Sequence, residues 1–545
     1  MRRTLAMALL LVAACAGSSS STPVPPLVPA TRPPAASRDW WNGAVTYEVF
    51  VRSFKDSNGD GNGDLAGLIE KLDYLNDCNA PGSQALGVDA IWLMPIYPSP
   101  SDHGYDVLDY TEVNPGYGTL ADLDRLVLEA HRRCIKVVLD WVPNHTSAQN
   151  PWFLEAQSPT SARRDWYVWN TTNPGWTQPF GSAPTWYAGG GAFFYAIFWS
   201  GMPDLNWLNP AVPAALNAAA DGWLAHGVDG FRLDAVRYLV ANGPGNLQED
   251  QPQTHAALRG FAADVRSRLP NALPSAMIVG EAWADTPIIA TYFGSTSASP
   301  EGDELPLNFN FPLADAVVSG VAGGFATGIA AKLDEVARTY PPGTGDAPFL
   351  TNHDQVRVAT RLGAEPSRLR LAAAILLTLQ GSPFIYYGEE LGMQNGNCST
   401  DECKRTPMAW DGAAKGGFTS GTPWWPFSPG MATANVATQL ADPDSLLVRY
   451  RKLIQVRKGS PALTRGGTER LSTEAFGVLS FLRTEATETV LVAHNLGTSA
   501  ATQGVAVTAT AVEPLFVDPG ASATVGSGSV SITLPPRGSG IWRLR

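Results

Sequence analysis

The stretch that decides the fold is Leu120-Ala-Asp-Leu-Asp-Arg-Leu-Val-Leu-Glu-Ala-His-Arg132, followed three residues later by Lys136-Val-Val-Leu-Asp-Trp-Val142. In the first part, apolar residues recur three and four positions apart, which is typical of an amphipathic helix. The second part is a short apolar run, which is typical of a buried strand. A helix connected so closely to a buried strand indicates a parallel α/β sheet.

The same alternation continues on both sides of this stretch. A further helix is expected at 367–379, and further strands are expected at 45–51, 88–94, 230–233, 277–279, 348–350 and 383–387. At this length the alternation predicts a (β/α)8 barrel. In a barrel, the carboxyl ends of the strands share the face that carries active sites. The polar side chains expected there are Asp140, His145, Asp234, Glu281 and Asp354.

Two regions depart from this rhythm. Residues 146–205 are rich in Trp, Tyr, Gly and Pro and lack helical periodicity, so we expect a subdomain inserted after the third strand. Residues 464–545 contain short alternating runs separated by Gly and Pro, which predicts a C-terminal antiparallel β-sandwich. The catalytic barrel would then comprise residues 39–145 and 206–463.

The N-terminus has the features of an export signal. Arg2 and Arg3 precede an apolar run at 5–14 that is too short to span a bilayer. The run ends in Val12-Ala-Ala-Cys15, which resembles a bacterial lipobox in which the cysteine is lipidated; the alternative is an ordinary signal peptide cut near Ala14 or Ala16. We favour a signal segment at 1–15 and a disordered Ser/Pro-rich spacer at 16–38.

The net charge limits the possible binding partners, and the cysteines indicate disulfide bonds. The 545 residues carry a formal net charge of −12, which argues against nucleic acid or an anionic membrane surface and is compatible with a neutral substrate. If Cys15 carries lipid, four cysteines remain for an oxidising compartment. Cys398 and Cys403 are close enough in sequence to close a small loop, and Cys78 and Cys134 would then form the second disulfide. None of the spacings resembles a zinc site.

Four segments, in this order, resemble the signature regions of the α-amylase family (glycoside hydrolase family 13): Asp140-Trp-Val-Pro-Asn-His145, Gly230-Phe-Arg-Leu-Asp234, Gly280-Glu-Ala-Trp283 and Thr351-Asn-His-Asp354. Flanking matches extend the resemblance over residues 41–410. Met202-Pro-Asp-Leu-Asn206 resembles the group between oligo-1,6-glucosidases and neopullulanases that includes lipoprotein α-amylases.

The resemblance implies a retaining mechanism with two carboxyl groups about 5–5.5 Å apart. Asp234 would attack the anomeric carbon, and Glu281 would protonate the leaving oxygen and then activate water. Burial and nearby negative charge should raise the pKa of Glu281, while Arg232 supplies a positive partner for Asp234. Further sugar contacts implied by the resemblance are Asp354, His145 and His353, a stacking Tyr105, and Asp102 or His103.

A second motif is Asp56-Ser-Asn58-Gly-Asp60-Gly-Asn62-Gly-Asp64. Oxygen ligands at alternate positions, separated by glycines, suit Ca²⁺, although Gly67 stands where an EF-hand has its bidentate Glu. The motif resembles the calcium loop after the first barrel strand of oligo-1,6-glucosidase-like members, and the alternative is a solvated acidic turn. Many family members hold another Ca²⁺ through a His four residues after the nucleophile. Tyr238 stands there, which puts that site in doubt even though Asn144 is present.

The expected function is therefore endo-hydrolysis of α-1,4-glucosidic bonds in starch and maltooligosaccharides by an exported, lipid-anchored or secreted monomer with bound Ca²⁺. An exo-acting α-glucosidase and a transglycosylase resembling trehalose synthase share the same catalytic set, so both remain alternatives. A non-catalytic glycan-binding protein is a remote alternative, because relatives of that kind have lost catalytic carboxylates and this sequence has all three.

Overall fold

The structure is a computed structural model that describes residues 29–37, 39–78, 80, 83–268, 275–297, 299–472 and 476–545. The predicted signal segment, Cys15 and the first part of the spacer lie outside the described residues. No helix within these ranges is both long enough and apolar enough to cross a membrane.

A ring of parallel strands forms the centre of the molecule. Its first six strands and its eighth pair in the order sixth, fifth, fourth, third, second, first, eighth. Their buried apolar side chains fill the barrel and contact the surrounding helices. In chain order these strands are Thr46–Val49, Ala90–Leu93, Lys136–Trp141, Gly230–Leu233, Met277–Gly280, Leu307–Asn308 and Phe384–Tyr386.

The seventh position is filled by an extended segment at 347–350. Ala347 forms an isolated parallel bridge with Phe309, and the amide of Phe384 donates to the carbonyl of Pro348 at 2.9 Å, which closes the ring. The sequence predicts a regular strand here, but Pro348 has no N–H to donate to a ladder. The sequence analysis also misses the sixth strand, because two residues are too few to show a periodicity.

The helix Leu120–Arg132 forms where the sequence predicts it. It begins at Thr119, whose hydroxyl accepts from the amide of Asp122 while the Asp122 carboxylate accepts from the amide of Thr119, which is a capping box. Its buried residues, spaced three and four apart, face the barrel: Leu123, Leu126, Val127 and Ala130. The second predicted helix is present at Pro366–Thr378.

The remaining α-helices surround the barrel or cap its ends. They are Val51–Phe54, Leu65–Glu70, Leu72–Leu75, Pro151–Ala156, Ala211–Ala225, Pro252–Arg268, Thr286–Thr291, Phe311–Gly323, Thr327–Thr339, Val358–Arg361, Val436–Ala441, Leu446–Lys458 and Pro461–Arg465. Short 3-10 helices occur at Arg164–Trp166, Val236–Tyr238, Gly245–Gln248, Glu389–Leu391 and Asp401–Lys404.

The inserted subdomain follows the third barrel strand and has its own antiparallel sheet. In spatial order its strands are Trp169–Asn170, Ala192–Tyr195 and Trp186–Gly189. Isolated bridges between His145 and Asp204 and between Tyr167 and Leu205 join the two ends of the insertion. These bridges hold the subdomain beside the carboxyl ends of the barrel strands.

The C-terminal region is a sandwich of two antiparallel sheets, as the sequence predicts. Apolar side chains from both sheets, including Leu491, Ile532 and Trp542, share one core. The larger sheet has the order Thr31–Arg32, Gly467–Arg470, Val478–Glu485, Glu488–Asn495, Ser539–Leu544, Val512–Val517. The smaller sheet has the order Ala501–Val505, Ser529–Leu534, Ser522–Gly526.

The end of the predicted spacer is ordered, so the expectation of disorder through residue 38 is wrong for residues 29–37. Thr31–Arg32 adds an edge strand to the larger sheet of the sandwich. Arg32 ion-pairs with the buried Asp346 at 2.9 Å and lies over the ring of Tyr340. The composition of the spacer does not indicate that Arg32 pairs with the buried carboxylate of Asp346.

Both predicted disulfides are present. Cys78 and Cys134 are bonded with a Cα–Cα distance of 5.2 Å, and Cys398 and Cys403 with 5.8 Å. The second disulfide lies in the loop after the eighth barrel strand, beside residues that reach the carboxyl-end cleft.

Candidate active site

A cleft of about 550 Å³ opens at the carboxyl ends of the barrel strands, against the inserted subdomain. The three predicted catalytic carboxylates, Asp234, Glu281 and Asp354, all line it, together with His103, Tyr105 and His145. The barrel therefore brings together groups that are up to 251 residues apart in the chain (354 minus 103).

Asp234 immediately follows the fourth barrel strand, and Glu281 immediately follows the fifth. The next residue after Asp234, Ala235, adopts a left-handed backbone with φ of 50°, a conformation that is uncommon for a residue with a side chain. This turn directs the Ala235 amide at Glu281, whose Oε2 accepts its hydrogen bond at 3.1 Å. The strained turn thus couples the positions of the two carboxyl groups.

Arg232 is fully buried and joins three carboxylates. Its Nη1 lies 2.7 Å from Asp234 Oδ1 and 3.0 Å from Asp140 Oδ1. Its Nη2 lies 2.9 Å from Glu281 Oε2. The predicted ion pair with Asp234 is therefore confirmed, and the same guanidinium also holds Glu281. Arg232 therefore holds the carboxyl groups of Asp234 and Glu281 close to each other in the cleft.

The surroundings of Glu281 and Asp234 shift the pKa values of both carboxyl groups. Burial raises the pKa of Glu281 to about 7, against the charge of Arg232 and assisted by the charges of Asp234 and Asp354. Burial also raises the pKa of Asp234 to about 6, with Arg232 opposing. The expected increase for Glu281 is confirmed. Arg232 does not hold the pKa of Asp234 at its ordinary value, because burial outweighs the charge of the guanidinium.

Asp354 lies between two cationic side chains. Arg405 Nη2 is 3.0 Å from its Oδ1, and His353 Nε2 is 3.2 Å from its Oδ2. Burial acts to raise the pKa of Asp354, but His353 and Arg405 outweigh it and the pKa falls far below the usual range. Asp354 is therefore a permanent anion on the cleft wall, unlike Asp234 and Glu281.

The predicted sugar-binding residues divide into two groups. Tyr105 lines the cleft, and His353, stacked on its ring at 5.3 Å, lies behind it rather than on the cleft surface. His145 lines the cleft with its Nε2 free of any protein partner, and burial lowers its pKa to about 3, so it is a neutral imidazole. Its orphaned Nε2 is available to a ligand hydroxyl.

Asp102 and His103 are alternatives in the sequence analysis, and the structure separates them. His103 lines the cleft and stacks on Tyr105 at 5.9 Å. Asp102 is not among the lining side chains. Its carboxylate contributes charge near His103, and burial of that histidine nevertheless lowers its pKa.

Comparison with known proteins agrees with this geometry. The family model described as "Alpha amylase, catalytic domain" matches residues 48–466. The chain is 39% identical over 465 residues to Alpha-amylase 3 of Dictyoglomus thermophilum, covering 84% of this chain and 85% of that protein.

This chain belongs to the alpha-amylase family.

Two further relatives show the breadth of the family around it. An oligo-1,6-glucosidase of Heyndrickxia coagulans is 34% identical over 531 residues, covering 84% of this chain and 92% of that protein. The crystal structure of an α-amylase from H. orenii superposes with a TM-score of 0.81 at 36% identity, covering 92% of this chain and 100% of that one. The fold and the glycoside hydrolase class are thereby shown.

The structure adds contacts of Asp140, and a further site residue, Arg405, that the sequence analysis does not predict. Asp140 accepts hydrogen bonds from Tyr105 Oη at 2.9 Å and Trp92 Nε1 at 3.1 Å, in addition to its ion pair with Arg232. Arg405 lies far along the chain, outside the four motifs. Asp140 is the first residue of the first signature segment, so the sequence indicates that it belongs to the site. No sequence pattern around Arg405 indicates its contact with Asp354.

The predicted metal loop forms a compact turn next to the first barrel strand. Asp56 Oδ1 accepts from the amides of Asn58 and Gly59 at 3.0 and 2.7 Å, and the Thr419 hydroxyl donates to its Oδ2. Burial acts to raise the pKa of Asp56, but the hydrogen bonds from Thr419 and the backbone outweigh it and lower the pKa. Asp56 therefore stays ionised.

The other predicted ligands lie in the same loop. Asn58 Oδ1 and Asp60 Oδ1 each accept an amide at 2.8 Å, and Asp64 accepts from the amide of Gly67 at 2.6 Å. Arg52 donates to Asn62 Oδ1 at 2.8 Å. Over the described part of the chain, no three or more His, Cys, Asp or Glu side chains are already gathered as a metal cage. The atoms that these residues offer as metal ligands are all oxygens, which suit a hard cation.

The structure also describes the residues at the second Ca²⁺ position, which the sequence analysis puts in doubt. Asp204 is buried beside Asn144, and one oxygen of each, Asp204 Oδ2 and Asn144 Oδ1, has no hydrogen-bond partner. Tyr238, which replaces the family histidine, packs against Phe198 at 5.7 Å and lines the cleft.

Proposed function

We propose that this enzyme hydrolyses internal α-1,4-glucosidic bonds of starch and maltooligosaccharides with retention of configuration. Asp234 attacks the anomeric carbon as the glycosidic C–O bond breaks, and the Glu281 proton passes to the leaving oxygen. Glu281 then takes a proton from water, whose oxygen attacks the same carbon and releases Asp234. Burial raises the pKa of Glu281, which supports its role as proton donor, and Arg232, paired with Asp234 at 2.7 Å, favours the ionised form of the nucleophile.

Asp354 and His145 would bind the hydroxyls of the sugar that reacts. Asp354 is ionised and accepts hydrogen bonds, whereas neutral His145 presents an unpartnered ring nitrogen. Tyr105 would stack beneath the ring, with His103 beside it. Asp102 would act only through His103, because its side chain is not on the cleft surface.

The observation that favours a long glucan as substrate is an aromatic platform at the rim of the cleft. Trp283 is 46% exposed and stacks on Phe311 with ring centroids 4.5 Å apart. It lines both the main cleft and a second depression of about 380 Å³, which shares Arg237 and Trp283 with the cleft. A chain that continues past the cleaved bond therefore finds a surface for its next sugars.

The early products from maltoheptaose test endo action. We expect several maltooligosaccharides to appear together before glucose accumulates, and starch to lose iodine staining faster than it gains reducing ends. Glucose as the sole early product would establish exo action instead.

The second candidate is exo-hydrolysis or glucosyl transfer. It is favoured by similarity to an oligo-1,6-glucosidase at 34% identity and to the crystal structure of an α-glucosyl transfer enzyme, XgtA, at 32% identity and a TM-score of 0.81. Water and a sugar hydroxyl compete for the same covalent intermediate. Products longer than the maltoheptaose supplied would identify transfer.

We further propose that Ca²⁺ binds the loop through Asp56, Asn58, Asp60 and Asp64, together with the carbonyl of Asn62, and stabilises the fold. The bound ion would neutralise the loop's negative charge, while the reacting carboxylates lie on other strands. The loop packs on residues 418–424, since the amide of Trp424 donates to the carbonyl of Gly61 at 2.9 Å. Stabilising the loop would therefore also stabilise this neighbouring segment.

We also propose that the protein is exported as a monomer and either secreted or anchored by lipid on Cys15, with no role for nucleic acid. The basic and apolar start of the chain and its Val12-Ala-Ala-Cys15 segment support this proposal. Labelled palmitate should enter the parent protein in a bacterial host but not the Cys15→Ser variant. Equal labelling of both proteins, or of neither, would contradict the anchor.

A further inference from the structure

A buried glutamate, Glu48, lies directly behind the cleft wall. It belongs to the first barrel strand, its residue is only 2% exposed, and it does not line the cleft. Its Oε1 is 2.6 Å from Nδ1 of His353. A buried carboxylate is unfavourable unless it is paired, so this contact accounts for the burial of Glu48.

Both ring nitrogens of His353 face hydrogen-bond acceptors. Nδ1 faces the Glu48 carboxylate, and Nε2 lies 3.2 Å from Asp354 Oδ2 and 2.7 Å from Tyr105 Oη. Tyr105 Oη also lies 2.9 Å from Asp140 Oδ2, and a hydroxyl that donates to that carboxylate has its oxygen free to accept from His353. A neutral imidazole has only one N–H and would leave one of its nitrogens pointing a lone pair at an acceptor.

We propose that Glu48 is a positioning residue that holds His353 as an imidazolium and, through it, fixes Asp354 and Tyr105 on the cleft wall. The importance of those two groups rests on the proposed function, in which they bind the reacting sugar. The chain of contacts runs from Glu48 through the His353 ring to Asp354 and Tyr105. None of its members needs to move during the reaction.

The charges around the ring are consistent with this arrangement. Burial acts to lower the pKa of His353, but the charges and hydrogen bonds of Asp354 and Glu48 outweigh it and raise the pKa to about 10. Arg405 ion-pairs with Asp354 and donates from Nε to the His353 carbonyl at 3.2 Å. Asp140, paired with Arg232, lies on the far side of Tyr105, and the Trp92 ring packs edge-on to His353 at 5.7 Å.

The substitution Glu48→Gln tests the proposal, because the amide keeps the size of the side chain and can still hydrogen-bond but has no charge. Nitrogen NMR of histidine-labelled protein should show both nitrogens of His353 protonated in the parent at pH 8. The signal is assigned by its loss in His353→Gln. In the Glu48→Gln variant, one of the two nitrogens should lose its proton at this pH. A neutral His353 in the parent would overturn the proposal, even if the variant failed to fold.

Activity gives a second readout that a purely structural role would not produce. Without Glu48, the His353 pKa should fall, because Asp354 alone then opposes the burial of the ring, so more of the imidazolium is lost at pH 8 than at pH 5.5. The parent-to-variant ratio of kcat/KM should then be roughly tenfold larger at pH 8 than at pH 5.5. A ratio independent of pH would contradict the proposal. The alkaline loss of activity through Glu281 is common to both proteins and cancels in the ratio.

Glu390→Gln is the matched control. Glu390 is also a buried glutamate, but its carboxylate accepts from the hydroxyls of Tyr47 and Tyr74 and does not contact His353. This variant should leave the His353 signal and the pH dependence of the ratio unchanged, and a change like that of Glu48→Gln would point to general disruption of the first strand. If the enzyme proved inactive on all glucans, the proposed function would fail, while the NMR result would still decide the state of His353.

Discussion

Two clusters of acidic residues in the described part of the chain have opposite electrostatics. Around Arg232, burial raises the pKa values of Asp234 and Glu281 to about 6 and about 7. In the loop at 56–64, hydrogen bonds from the backbone and Thr419 outweigh burial, and the pKa of Asp56 is lowered. The residues of both clusters belong to motifs that the sequence analysis singles out. Burial therefore shifts the pKa values of Asp234 and Glu281 toward neutral pH, whereas Asp56 in the loop stays ionised.

This difference follows from what surrounds each carboxylate. Backbone amides and the Thr419 hydroxyl surround the Asp56 carboxylate and lower its pKa, so it remains an anion and suits a cation. The cleft gives its two reacting carboxylates one shared guanidinium, which compensates only part of their burial. We therefore propose that proton transfer occurs in the cleft and that the loop stabilises the fold, and the following predictions test that division.

The largest effect is expected for Asp234→Asn. The amide cannot attack the anomeric carbon, so kcat should fall by about 10⁴-fold or more, equivalent to roughly 5.4 kcal/mol of lost transition-state stabilisation. Circular dichroism and melting should show a folded protein. A folded variant that retained a tenth of the parent activity would remove Asp234 from the nucleophile role.

Glu281→Gln should have a smaller effect that depends on the leaving group. On maltooligosaccharides kcat should fall by about 10²–10⁴-fold, the range typical of general acid–base catalysis. An aryl maltoside with a good leaving group should form the covalent intermediate nearly as fast as with the parent, because its departure needs no proton. Pre-steady-state release of the aryl alcohol measures this step, and an equal loss on both substrates would contradict the role.

The same pair of carboxyl groups predicts the pH profile of the parent. Activity should rise as Asp234 ionises near an apparent pKa of about 6 and fall as Glu281 loses its proton near about 7. The two apparent values belong to the coupled pair rather than to either residue alone. Measuring kcat/KM from pH 4 to pH 9 checks this, and a flat profile between pH 5 and pH 9 would contradict it.

The smallest effect on activity is expected for Asp60→Ala in the loop. The variant should melt several degrees lower in Ca²⁺ and lose its response to chelator, because metal at 100 times its dissociation constant stabilises a fold by about 2.7 kcal/mol. Its kcat, assayed well below melting, should stay within about threefold of the parent.

Asp109→Ala is the control for this variant. Like Asp60, Asp109 is an exposed aspartate that accepts the amide two residues further on at 2.8 Å, but it lies outside the loop. It should keep the parent's response to chelator. If Asp60→Ala instead lost activity as severely as Asp234→Asn while remaining folded, the separation between the two clusters would be wrong.

The sequence predicts much of this arrangement, and the remainder depends on contacts between distant residues. Strand ends place Asp234 and Glu281 correctly because parallel strands share one face. The amphipathic helix at Leu120–Arg132 and both disulfides are also as expected. The contact of Arg405 with Asp354, the docking of Arg32 on Asp346 and the pairing of Glu48 with His353 join residues 51 to 314 positions apart. No local pattern encodes such partners.

The central claim is that Asp234 forms a covalent bond to the sugar while Glu281 supplies the proton. The most direct measurement is to trap the intermediate with an activated 5-fluoro-α-glucosyl fluoride, digest the protein and map the added mass. We predict one sugar attached to the peptide that contains Asp234, with turnover blocked until the label is hydrolysed. A label on Glu281 or Asp354, or hydrolysis that releases the β-anomer without any labelled peptide, would contradict the account.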